Sequence, residues 1–169
     1  FGRLGTLFGF EKYNVVPDIL CIAKGMGGGM PIGAFISSWK LMNLLTFKPK
    51  LGHITTFGGH PVNCAASLAT LEYLLSSNTM KEVDKKEKLF KTHLKHPKIK
   101  EIRGNGLMLS LEFESEEIAQ RVVEQSLIKG LILFYFLFTK TAIRISPPIT
   151  ITEQEIIEGC NIIKEILEA

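Results

Sequence analysis

Lys24 stands between Ala23 and Gly25, and Gly27, Gly28 and Gly29 follow close behind. A lysine amine does covalent chemistry by condensing with a carbonyl group as a Schiff base, and it needs uncrowded space in which a bulky partner can reach the nitrogen. Neighbours with little or no side chain leave that space open. A solvated lysine at a strand end is the plainer role, and spacing alone favours it. The glycines also raise phosphate binding. A phosphate loop, however, sets its lysine after the glycine gap and follows it with Ser or Thr, whereas here Gly25 follows Lys24. The dinucleotide fingerprint fails as well, because Met30 stands where its third glycine would fall.

Two further residues carry groups suited to binding. Arg144 lies between Ile143 and Ile145, so on a strand it points to the face opposite the isoleucines, and Pro147-Pro148 stop that strand directly afterwards. Taken alone it reads as a surface arginine. Thr56 precedes Phe57, Gly58, Gly59, His60 and Pro61, and an isolated Thr-Thr is more often plain strand. His53, His60, His93 and His96 lack metal-ligand spacing, so no metal site is expected.

The elements that must position these residues follow from local pattern. Residues 19–23 read as a short buried strand ending at Lys24, and residues 32–37 as a second strand beyond the glycines. Pro61 suits the first position of a helix running to about residue 75, kept slim by Ala65, Ala66 and Ala69. A charged helix over 80–95 ends before His96-Pro97. Strands at 99–103 and 107–113, a helix over 115–129, and strands at 131–134 and 142–146 come next. The last helix begins at Thr152 with Glu155 three residues on, a capping box, and Ile156, Cys160, Ile163 and Leu167 form its apolar stripe. The expected division is residues 1–75 and 76–169, the second part a small α+β unit.

Composition narrows the class. The chain of 169 residues is 46% hydrophobic with a formal charge of +3 from 20 basic and 17 acidic residues, so it is globular and has no field to draw in nucleic acid or anionic lipid. The apolar run 131–138 is far shorter than the roughly 18 residues of a membrane-spanning helix and reads as a buried strand with its flanks. Cys21, Cys64 and Cys160 are odd in number and set among apolar residues, which fits reduced core thiols in a cytoplasmic protein.

The segment from Pro17-Asp18 to Lys24-Gly25, followed by Gly27-Gly28-Gly29-Met30-Pro31-Ile32-Gly33-Ala34, resembles the lysine segment of class III aminotransferases, the group of acetylornithine, ornithine and 4-aminobutyrate aminotransferases. Gly2-Arg3-x-Gly5 with Phe8 and Glu11, then Thr55 to Pro61, then Ile143-Arg144 with Pro147-Pro148 agree with it. The resemblance implies an α/β chain of pyridoxal-phosphate-dependent fold type I, comprising the end of the large cofactor-binding domain and the small C-terminal domain. It implies that Lys24 forms the internal aldimine with pyridoxal 5'-phosphate and moves the proton. Thr56 would reach the cofactor phosphate of a partner subunit in a homodimer with shared active sites, and Arg144 would grip a substrate carboxylate.

The activity so implied is amino transfer between an amino acid or ω-amine and a 2-oxo acid. The family's aspartate for the pyridine nitrogen lies upstream of Gly2-Arg3 and outside this chain, as do its phosphate loop and ring-stacking aromatic residue. The chain alone is therefore expected to be inactive. Competing readings are an aminomutase or racemase of the same fold, and a non-catalytic binding or assembly fragment.

Overall fold

The computed structural model describes residues 1–48, 50, 52 and 54–169, so His53 lies outside the described residues. The chain forms two units, one of Phe1 with Thr6–Asn78 and one of Gly2–Gly5 with Thr79–Ala169. No described helix is long and apolar enough to cross a membrane.

In the first unit, β1 (Ile19–Ile22) pairs antiparallel with β2 (Ala34–Ser37), Ile22 opposite Ala34. The glycine segment between them forms a 3₁₀ turn over Lys24–Gly27. α1 (Trp39–Leu44) follows, its N-cap Ser38 accepting the N–H of Leu41. α2 (Pro61–Ser76) begins with Pro61 in its first turn, where the missing N–H costs nothing.

The strand expected to be buried at 19–23 is only half covered here. Ile19 is 56% exposed and Ile36 50%, because β1 and β2 form a two-stranded ribbon. For the same reason Cys21 is exposed rather than a core thiol, and Cys64 is exposed on α2. Among the described residues Leu74 is the only buried hydrophobic side chain of this unit.

The second unit holds the core. α3 (Val83–His93) precedes β3 (Ile99–Asn105) and β4 (Met108–Phe113); α4 (Glu116–Ile128), β5 (Phe134–Tyr135), β6 (Ala142–Ile145) and α5 (Glu153–Glu168) complete it. The strands form an antiparallel sheet in the order β3-β4-β6-β5. Alternation sends Leu109, Leu111 and Phe113 of β4, with Ile143 and Ile145 of β6, into the core against Val83, Phe90, Val122 and the α5 stripe of Ile156, Cys160, Ile163 and Leu167. Each such side chain contributes about 1.5–3 kcal/mol of transfer free energy. Ser110 and Arg144, opposite one another in register, belong to the other face of the sheet.

The apolar run 131–138 is not the buried strand its composition suggests. β5 is a two-residue edge strand, Phe134 is 51% exposed, and Leu137 and Phe138 are almost fully exposed. Among the described residues only β6 pairs with it, so its outer edge carries no further strand.

Candidate active site

Lys24 takes its place from a change of backbone direction. Ala23 is fully extended, and Lys24 then turns to φ +54°, the left-handed region. For a residue with a Cβ that costs on the order of 1–2 kcal/mol, and strain of this kind gathers where a side chain is held for a purpose. The turn closes with Met26 N–H donating to Ala23 O at 3.2 Å. The loop packs closely on α2, because a Cβ on Gly28, itself at φ +57°, would lie 2.0 Å from Thr70 Oγ1. Asn63 in the first turn of α2 donates to Pro31 O at 2.7 Å and holds the far side of the loop. Lys24 is exposed, and a Cβ on Gly25 would meet nothing within 4 Å. The space beside Lys24 is therefore open.

Thr56 lies in the exposed turn that leads into α2, with Gly58 N–H donating to Thr55 O at 3.2 Å. Phe57 beside it is 78% exposed. The Lys24 loop packs on α2 through Gly28 and Asn63, and the Thr56 turn leads into the same helix.

Arg144 sits on β6 opposite Ser110 of β4 and Phe134 of β5. Its guanidinium carbon lies 5.0 Å from the Phe134 ring centroid, a cation–π arrangement. Among the described residues it makes no ion pair, and its buried Nε has no hydrogen-bond partner. The Ser110 hydroxyl across the ladder is likewise buried and unpartnered. Arg144 also borders a cavity of about 330 Å³ with walls that include Phe90, Leu131, Ile151 and Ile163. A planar cation with unused donors against an aromatic ring is suited to a carboxylate.

A neighbour that spacing did not single out is Arg3. Its Nη1 donates to Leu107 O at 2.8 Å and Pro147 O at 2.7 Å, while burial and then the charge of Arg144 push its pKa below the ordinary value. Arg3 and Arg144 are therefore two cations within electrostatic range of one another. The signal for Arg3 in the sequence was its place in Gly2-Arg3-x-Gly5; the signal for Phe134 was only an aromatic residue in an apolar run.

A mixed α/β chain with a strained, accessible lysine at a strand end and an unpaired arginine on a separate small sheet has the features of the pyridoxal-phosphate transferases of fold type I. Residues 1–167 match the family model described as Aminotransferase class-III, and the chain belongs to that family. It is 42% identical over 171 aligned positions to the acetylornithine aminotransferase of Caldanaerobacter subterraneus subsp. tengcongensis, covering 98% of this chain and 42% of that protein. The acetylornithine aminotransferase of Haemophilus ducreyi is 36% identical, with 98% and 41% covered. The chain thus spans about two fifths of the length of these relatives.

Among solved structures, a Bacillus anthracis aminotransferase superposes with a TM-score of 0.88 at 28% identity, covering 99% of this chain and 42% of that one. The ornithine aminotransferase of Toxoplasma gondii does so with a TM-score of 0.86 at 31% identity, covering 99% and 41%. Another structure of an ornithine aminotransferase from that organism is described with pyridoxal phosphate at its active site. Enzymes of this class depend on pyridoxal phosphate.

Proposed function

We propose that this chain supplies the cofactor lysine, Lys24, and a substrate arginine, Arg144, to a pyridoxal-phosphate-dependent aminotransferase that exchanges an amino group between an amino acid or ω-amine and a 2-oxo acid. The observation that carries this reading is Lys24 itself. In a class-III chain, it is the lysine forced to positive φ beside open space. Residues 1–75 would belong to the cofactor-binding domain and residues 76–169 to the small C-terminal domain.

When bound, pyridoxal phosphate supplies an electron sink that acidifies the carbon next to the substrate nitrogen. The chain's own residues do the rest. Lys24 would hold the cofactor through its side-chain amine, and that amine, when neutral, would take a proton from the substrate carbon and return it at the neighbouring position. Arg144 orients the substrate by its carboxylate through a bidentate pair, which makes the proton available to Lys24 from one side. Thr56 donates its hydroxyl to the cofactor phosphate across a homodimer interface, a role its exposure in the isolated chain supports.

The chain alone is proposed to be inactive, since Ile19, Phe35 and Ile36 are 56%, 42% and 50% exposed and present apolar surface that favours aggregation. The test is replacement of Lys24 in the whole protein. Lys24→Ala should abolish amino transfer and leave no cofactor covalently attached after borohydride reduction, and retention of either would refute the assignment.

A further inference from the structure

The β4–β6 ladder pairs Leu109 with Ile145, Ser110 with Arg144 and Leu111 with Ile143. Continued two residues outward, that register sets Leu107 opposite Pro147, and there the ladder fails because proline has no N–H to donate. Arg3 fills the gap. Leu107 N–H donates to Arg3 O at 2.9 Å, while Arg3 Nη1 donates to both carbonyls of the broken pair, Leu107 O at 2.8 Å and Pro147 O at 2.7 Å. These are charge-assisted bonds, stronger than the backbone bond they replace.

The fit is close on the hairpin side as well. A Cβ on Gly106, at φ +57°, would lie 2.4 Å from Arg3 O and 2.8 Å from Leu4 Cα, so only glycine lets the backbones meet. Glu87 accepts the Gly106 N–H and holds the hairpin end from α3. Among the described residues Arg3 has no carboxylate partner, so its guanidinium is spent on carbonyls and its charge remains in the field of Arg144.

We propose that Arg3 is a positioning residue for Arg144: its guanidinium splints the end of β6 that Pro147 leaves unpaired, and so fixes the strand from which Arg144 addresses a substrate carboxylate. This rests on the reading of Arg144 given above. Arg3 itself need not touch substrate, because both of its Nη1 bonds go to protein carbonyls. The prolines that end β6 directly after Arg144 are what make the splint necessary.

The test uses the whole protein with its cofactor bound, in the parent and as Arg3→Met, Arg3→Lys and Arg144→Gln. The KM for L-ornithine is compared with that for 1,4-diaminobutane, which lacks the carboxylate. Hydrogen exchange is read at the Leu107 amide. Arg3→Met should raise the KM ratio of L-ornithine to 1,4-diaminobutane on the order of tenfold and speed exchange at Leu107. Arg3→Lys, which keeps the charge and some donors, should fall between it and the parent. If Arg144→Gln raises that ratio and Arg3→Met leaves it at the parent value, the positioning role is overturned while the Arg144 reading stands. If Arg144→Gln leaves the ratio unchanged, the Arg144 reading itself fails and takes the proposal with it. Should Arg3→Met not fold, Arg3→Lys decides by the same ratio.

Discussion

Phe134 lies directly opposite Arg144 in the β5–β6 register, and its ring faces the guanidinium at 5.0 Å. The aromatic face limits the directions the fork can take without consuming any of its N–H donors. A flat cation held this way is partly ordered before an anion arrives, which lowers the entropy lost on binding.

Removing the ring while keeping apolar volume should loosen the fork. Phe134→Leu forfeits a cation–π contact of about 0.5–1 kcal/mol, so KM for a carboxylate substrate should rise roughly two- to fivefold. Arg144→Lys keeps the charge but loses the bidentate geometry, and about 1.5–3 kcal/mol should be lost with carboxylate substrates. Steady-state kinetics on both variants checks the order: Lys at 144 must be the more damaging.

Gly28 is where the Lys24 loop meets α2. Gly28→Ala adds a methyl 2.0 Å from Thr70 Oγ1 at φ +57°. Overpacking and backbone strain together should cost about 2–4 kcal/mol. Thermal unfolding of Gly28→Ala and of the double variant with Thr70→Ala separates the two, since the second change relieves the clash and leaves the strain. An unchanged melting temperature in Gly28→Ala would show that the loop does not bear on α2.

The N-terminus of α5 carries a pH-dependent contribution. Backbone and then hydroxyl hydrogen bonds from Thr152 hold the Glu155 carboxyl below its ordinary value of 4.5. Because the folded value is depressed, the contribution is fully present above pH 4.5 and is lost as pH falls through the folded value. Glu155→Gln should therefore flatten the fall in stability on the acid side while leaving the fall at alkaline pH untouched. Urea unfolding at a series of pH values reads this directly.

Much of the second unit was legible because its rules are local. The Thr152–Glu155 capping box, the Ile156–Cys160–Ile163–Leu167 stripe and the hairpin of β3 and β4 each depend on residues a few positions apart. Pro61 as a helix start and β1 ending just before Lys24 are of the same kind. What escaped is set by distant partners. The bonds of Arg3 span 104 and 144 residues, and the positive φ of Lys24 has no signature in a side chain that usually avoids it. The apolar run at 131–138 misled because hydrophobicity does not say whether a strand has a covering neighbour, and Cys21 and Cys64 misled for the same reason. α1, six residues long, is too short to show a helical period, and its local signal is the capping residue Ser38 before Trp39.

Lys24 is proposed to hold the cofactor, and covalent trapping tests this without relying on turnover. The whole protein is loaded with pyridoxal phosphate, reduced with borohydride, digested and mapped by mass. The reduced cofactor should be found on the peptide that contains Lys24 and on no other. A label on a different lysine, or none on any lysine after reduction of a yellow protein, would contradict the account.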